Sequence, residues 1–256
     1  MRSVIAFPCF GDTLVGTLDS GDATTGLLIV SGGNEIRIGA HRGMAALAAS
    51  LAAGGTPVFR YDRRGIGDST GENLGFEHSE VDLTAAVKVF RQHAPHLTRI
   101  VGFGNCDAAT ALALFHEAAG IDALVLANPW TIEQTDDLPP AAAIRARYVA
   151  RLKEPSTYLR LLRGGVDLAK LIKGLFKISV SKTEHGSTLA KRLSHALGAA
   201  SKPIEIVLAE RDATAIAFAD ACPTPLPTHM LPTASHSFAR REDKAALEAI
   251  LRAALS

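Results

Sequence analysis

Three side chains in this sequence have the types and the order for nucleophilic catalysis: Cys106, Asp212 and His236. Cys106 sits in Gly104-Asn105-Cys106-Asp107-Ala108, between an apolar strand-like run, Ile100 to Phe103, and a small-residue helix, Ala108 to Ala119. A nucleophile on a sharp strand-to-helix turn needs small neighbours, and the helix N-terminus beneath it favours developing negative charge. The competing reading is a buried, inert cysteine. His236 lies in Ala234-Ser235-His236-Ser237-Phe238, between the last strand-like run and the last helix-like run, where it can serve as the base. Asp212 follows a strand ending at Ala209, where a carboxylate could hold the imidazole tautomer and stabilise the imidazolium. It could equally be the N-cap of the helix that starts at Ala213.

Acyl chemistry also needs donors for an oxyanion. The backbone N–H after the nucleophile, at Asp107, is one candidate. The loop Ser31-Gly32-Gly33-Asn34 supplies the other, with Gly33 as first choice and Asn34 as second. Each such donor is worth about 3–4 kcal/mol where single deletions have been made. Other glycine-rich readings fail. No lysine follows in the phosphate-loop pattern, and Gly102-Phe103-Gly104 lacks the third glycine of a dinucleotide loop. No Cys/His spacing suggests zinc, so neither a cofactor nor a metal is expected.

These groups must be held by a scaffold. Val4 to Phe10 and Leu14 to Leu18 read as an antiparallel hairpin at a sheet edge. Leu27 to Val30, Pro57 to Tyr61, Ile100 to Phe103, Ile121 to Ala127, Ile204 to Ala209 and Thr228 to Leu231 read as further strands. Helices are expected over His41 to Ala53, Glu77 to Gln92, Ala108 to Ala119 and Lys244 to Leu255. The alternation predicts an α/β fold: a mostly parallel central sheet with helices on both faces. In such sheets chemistry gathers beyond the strand C-termini, where all the residues named above fall.

The chain has 256 residues, 47% of them hydrophobic, with 27 Lys+Arg against 26 Asp+Glu. A net charge of +1 gives no support for a nucleic-acid partner. Three cysteines, Cys9, Cys106 and Cys222, do not make a disulfide scaffold and suit a reducing, cytoplasmic setting. No run reaches the roughly eighteen apolar residues that span a bilayer. The alternation breaks over residues 130–201, read as a helical cap inserted into a core of residues 1–129 and 202–256. Two helices are expected there, Pro140 to Lys153 and Thr157 to Ile178, with Arg163-Gly164-Gly165 as a hinge or a local helix break. Between Ala141 and Ala200 stand twelve Lys/Arg and three acids, a local +9. Such a cap is a solvated basic face, a recognition surface for an anionic or carrier-bound substrate, or a site of peripheral contact with acidic lipid.

Taken together, these segments resemble the α/β-hydrolase superfamily over nearly the whole chain. The order nucleophile, acid, histidine is that of the superfamily. Asp62-Arg63-Arg64-Gly65-Ile66-Gly67-Asp68-Ser69 resembles its D-x-R-G-x-G-x-S loop, in which Asp62 and Arg64 are expected to tie loops together. The departures are cysteine for serine at 106 and alanine for glycine at 108. More narrowly, the sequence is similar to the exosortase A system-associated hydrolases of type 1, through Ser31-Gly32-Gly33-Asn34-Glu35, His41-Arg42-Gly43, the Asp62 loop and Gly104-Asn105-Cys106-Asp107-Ala108-Ala109. That resemblance implies a cytoplasmic hydrolase-like protein accompanying exopolysaccharide production and protein sorting. The reading is a thiol acyl-transfer hydrolase acting on a small ester or thioester. An acyltransferase with the same three residues, and a catalytically silent binding protein, remain as alternatives.

Overall fold

A computed structural model describes residues 1–132 and 188–256. The helices expected between Pro140 and Ile178, and the Arg163-Gly164-Gly165 segment, lie outside the described residues. The chain opens with β1 (Arg2–Cys9) and β2 (Asp12–Asp19), which pair antiparallel, followed by β3 (Thr25–Val30). Then come α1 (Gly43–Ala53), β4 (Val58–Tyr61), α2 (Glu80–His93), β5 (Arg99–Asn105), α3 (Asp107–Ala119) and β6 (Ala123–Ala127). After the undescribed stretch the order is α4 (Thr188–Ala199), β7 (Ile204–Ala209), α5 (Ala213–Ala221), β8 (Thr228–Leu231) and α6 (Arg241–Leu255).

The strands form one eight-stranded sheet in the order β1-β2-β4-β3-β5-β6-β7-β8. β2 pairs antiparallel with β4, and every pairing from β4 through β3 to β8 is parallel. This is the mostly parallel sheet that the alternation of strands and helices predicts, in the α/β-hydrolase arrangement that the resemblance implies. The central strands are buried on both faces, as their near-continuous apolar runs require. Their side chains divide by the two-residue period of a strand. Leu28, Val30, Leu124, Leu126, Ile206 and Leu208 pack with α2, α3 and α4. Leu27, Ile29, Val101, Phe103, Val125 and Val207 pack with α1 and α6. Within the stretch read as a cap, α4 is amphipathic, and its Ala190, Leu193 and Leu197 join the first of these layers.

Two helix starts differ from expectation. His41 and Arg42 adopt φ of 52° and 58°, so a 3-10 turn at Ala40–Arg42 precedes α1, which begins at Gly43. Phe76–His78 is likewise a 3-10 turn, closed by the Ser79 hydroxyl donating to the Phe76 carbonyl at 2.6 Å, and α2 starts at Glu80. His116 is buried, because α3 packs between α2 and α4.

The elbow between β5 and α3 needs glycine at 104. A Cβ there would stand 2.8 Å from the Ala108 carbonyl carbon and 2.9 Å from the Ala109 nitrogen, both backbone atoms that cannot move aside. Gly104→Ala is therefore expected to lower unfolding free energy by about 1–3 kcal/mol, as overpacking does. Gly198→Ala in α4, where the same atom meets nothing within 4 Å, is the control and should be neutral or stabilising. Urea unfolding of both variants checks this.

Candidate active site

Cys106 is the N-cap residue of α3, with φ 63° and ψ −129°. A non-glycine residue rarely holds such a backbone, and it costs on the order of 1–3 kcal/mol. N-cap side chains ordinarily bond back to the first helical amides. Cys106 makes no such bond. It is the one cysteine of the three that is not buried. Cys9 is buried beside Asp82 and its thiol is pushed up to about 11, chiefly by burial. Cys222 is buried and donates to the Ala190 carbonyl at 3.3 Å, and burial raises its thiol too.

The loop after β8 carries His236 to the elbow. The His236 Nδ1 lies 2.9 Å from Asp212 Oδ2, and the Cys106 side chain is close enough to the ring to bear on its titration. The Asp212 bond first, and then Cys106, push the imidazole up to about 10, against the opposing effect of burial. Asp212 Oδ2 also accepts the amides of Thr214 at 3.1 Å and Ala215 at 3.2 Å. The two roles considered for Asp212 are therefore both present on one oxygen. It caps α5 and it orients the imidazole, and the cap holds the carboxylate where the ring finds it.

Two asparagines lock the histidine loop to the elbow. Asn105 Nδ2 donates to the His236 carbonyl at 3.0 Å, and Asn128 Nδ2 donates to the same carbonyl at 3.2 Å and to Asn105 Oδ1 at 3.0 Å. Asn128 Oδ1 accepts the Ala209 amide at 2.9 Å, which ties in the end of β7 as well. Asn128 is fully buried and has φ 41°. Sequence reasoning placed both residues at strand ends but assigned them no role. An amide side chain directly before the nucleophile and another at the next strand end were the available signals. On its far side the histidine loop is pinned by Thr233 donating to Asp243 at 2.6 Å and by the Ala239 amide donating to Ser235 at 2.8 Å.

The loop after β3 crosses the elbow closely. A Cβ on Gly32 would come within 2.5 Å of the Asn105 carbonyl oxygen and 3.5 Å of the Cys106 Cβ. Gly33, at φ 56°, donates its amide to Asp107 Oδ1 at 2.6 Å. The backbone N–H of Asp107 is the first of α3 and belongs to the donors that a helix leaves without an intrahelical partner. Asn34 sits farther along, exposed, with its side chain accepting from Asn73 at 3.0 Å. Thus Gly33 and Asp107 are brought to the thiol, and the Asn34 side chain is drawn toward Asn73.

Asp62 and Arg64 stand behind this loop. Asp62 is fully buried, accepts the Arg37 amide at 2.5 Å and the Asp68 amide at 3.1 Å, and pairs with the Arg37 guanidinium. Arg64 donates to Asp82 at 2.6 Å and to the His78 carbonyl at 2.9 Å. The first ties the loop after β4 to the loop after β3, and the second ties it to α2. Arg63 between them reaches the site: its Nη2 donates to the Gly33 carbonyl and lies 3.4 Å from Asp107 Oδ2.

A cavity of about 260 Å³ opens on the α1 and α6 side, with Met44, Leu47, Phe238 and Leu247 in its wall beside Asn105 and Ser237, the chain neighbours of the thiol and the imidazole. A larger hollow, about 420 Å³ at α5 and β8, has neither functional group in its wall. Among the described residues no group of three or more His, Cys, Asp or Glu side chains could hold a metal ion. No described helix is long and apolar enough to cross a membrane.

Comparison with known proteins agrees with this architecture. Residues 24–213 match the family model described as serine aminopeptidase, S33. No curated protein matches the sequence significantly. Among solved structures, an α/β hydrolase, GrgF, from Penicillium sp. sh18 is 18% identical with a TM-score of 0.65, covering 98% of this chain and 97% of its own. The Pyrococcus furiosus esterase Pf2001 is 16% identical with a TM-score of 0.63, covering 100% and 92%. A thioesterase domain from the curacin biosynthetic pathway is 12% identical with a TM-score of 0.58, covering 98% and 99%. At these identities the likeness establishes the fold.

The electrostatics make a sign-definite prediction. The imidazole of His236 is raised in the folded state, so its ion pair with Asp212 stabilises the fold fully below about pH 6.5 and is lost as pH rises through about 10. Asp212→Asn keeps a good N-cap but removes the charge. The His236 titration, followed by NMR, is expected to fall from about 10 toward 6.5 in that variant. An unmoved titration would mean that Asp212 does not govern the ring.

Proposed function

Because the chain belongs to the serine aminopeptidase S33 family of α/β-hydrolases, we propose that it is a hydrolase of an ester or thioester that uses Cys106 as its nucleophile. The observation that carries this reading is the half-buried thiol on a positive-φ corner, beside an imidazole that a carboxylate holds from behind. The cysteine replaces the serine in the family's name and leaves the acyl-transfer logic intact. The esterase and thioesterase folds among the similar structures support an oxygen or sulfur ester.

The reaction runs in two displacements. With its imidazole raised to about 10, His236 already holds the proton as an imidazolium that Asp212 stabilises, beside the Cys106 sulfur. The sulfur bonds to the substrate carbonyl carbon, and the carbonyl π pair moves onto oxygen. The Asp107 and Gly33 amides receive that oxyanion. Collapse breaks the bond to the alcohol or thiol, which leaves with the proton from His236. Water then gives a proton to the neutral His236 and attacks the acyl thioester, releasing the carboxylic acid and restoring the sulfur and its imidazolium partner.

The resemblance to the exosortase A system-associated hydrolases does not settle the substrate; an acyl group destined for an exopolysaccharide or lipid precursor suits the basic stretch of the chain. Free thiols and that similarity favour a cytoplasmic setting. The basic stretch between Ala141 and Ala200 favours an anionic or carrier-bound substrate.

Turnover of p-nitrophenyl acetate tests the reading. Cys106→Ala and His236→Ala are each expected to cost on the order of a thousandfold or more in kcat/KM, and to cost together little more than either alone, as residues acting as a unit do. Retention of wild-type turnover by Cys106→Ala would overturn it.

A further inference from the structure

The side chain of Asp107 is the feature that this mechanism does not use. Its Oδ1 takes the Gly33 amide at 2.6 Å, the same N–H that the oxyanion requires. A single N–H cannot hold a carboxylate and a developing alkoxide together, and two like charges at that separation repel. With Asp107 in this position the donor pair is therefore half filled by the enzyme's own anion.

The structure also supplies a place for that anion to go. Asp107 Oδ2 is 3.4 Å from Nη2 of Arg63, whose side chain is only 5% exposed. Nη1 of Arg63 is buried and has no hydrogen-bond partner among the described residues. A guanidinium matches a carboxylate with two parallel N–H donors, and here one of the two is unused. Asp107 is the first residue of α3. Rotation of its side chain alone moves the carboxylate, while its backbone N–H stays in the donor pair.

We propose that Asp107 is a displaceable stopper on the oxyanion site and that Arg63 is the seat that receives it. This rests on the acyl-transfer reading above. Substrate binding shifts the carboxylate from the Gly33 amide onto the guanidinium, which frees the amide for the oxyanion. No covalent step is added. Asp107 acts on the reaction through Gly33 and is a positioning residue. An ester that binds weakly meets a half-filled donor pair, whereas a substrate with enough contacts to displace the carboxylate meets a complete one. The stopper thus sets which esters are turned over.

The test compares two reactions of the same thiol. Acylation by p-nitrophenyl acetate, read as p-nitrophenolate release in stopped flow with enzyme in excess, uses the oxyanion donors. Alkylation by iodoacetamide uses the thiol and no oxyanion. Asp107→Asn keeps the shape and removes the charge, and Asp107→Ala removes both. In Asp107→Ala the ratio of acylation rate to alkylation rate is expected to rise tenfold or more over the wild type, because a half-filled donor pair is completed. In Asp107→Asn, whose amide oxygen still accepts the Gly33 N–H without the charge, it is expected to rise less. A ratio unchanged or lowered in Asp107→Ala would overturn the stopper. No acylation of wild type or variants, with alkylation intact, would overturn the acyl-transfer reading and the stopper with it.

Discussion

The backbone at residue 106 is the constraint on which the rest of the structure depends. At φ 63° and ψ −129° the chain leaves β5 and enters α3 within one residue. That conformation is costly for a side chain with a Cβ, and it persists because the surroundings over-determine it. Gly104 lies against Ala108 and Ala109 with no room for a methyl group, and Gly32 crosses over the Asn105 carbonyl with equally little. The Cys106 amide donates to the Ala127 carbonyl at 3.0 Å, and the Cys106 carbonyl accepts from Ala109 at 3.1 Å. The corner is thus clamped by the strand on one side and by the helix it starts on the other. The outcome is a thiol lifted out of the core at the positive end of a helix.

The thiol and the imidazole are held in register through loops rather than through the sheet. Four strand ends meet here, and polar side chains bridge each gap. Asn105 and Asn128 hold the carbonyl of His236, Asn128 holds the end of β7, and Asp212 holds the ring. All of these groups are charged or amide side chains with at least two partners each. Buried networks of this kind rigidify a site only when every member is satisfied. The pairing of Asp212 with both the α5 amides and the imidazole couples helix formation to the electrostatics of the base.

The scaffold was legible in the sequence because its signals are local. Apolar runs such as Leu27 to Val30 and Ile204 to Ala209 mark strands buried on both faces, and the small residues around Cys106 mark the elbow. The order of Cys106, Asp212 and His236 along the chain was legible too, since each follows a recognisable strand. Less accessible were features set by tertiary approach. Nothing in the identity of Asn128 discloses that it faces Asn105 across two strand ends. The left-handed conformations of His41 and Arg42 delay α1 to Gly43 against a helical pattern that starts earlier. The contact between Asp107 and Gly33 joins loops separated by 74 residues, and it reverses the simple expectation of an open pair of amides. Asp62 and Arg64 were assigned to loop anchoring from the motif alone, and their bonds to Arg37 and Asp82 show how they do it.

In the proposed reaction, cysteine at 106 is the departure that gives the site its chemical identity. A thiolate is an intrinsically strong nucleophile toward acyl carbon, and the acyl thioester it forms remains reactive toward water. The central claim is that the sulfur of Cys106 becomes covalently bonded to the acyl group of the substrate. The most direct measurement is peptide mass mapping of the protein quenched in acid during turnover of p-nitrophenyl acetate. The account predicts an acetyl group on the peptide containing Cys106 that disappears as substrate is exhausted. An unmodified Cys106 during sustained turnover, or an acetyl group on another residue that is lost in step with it, would contradict the account.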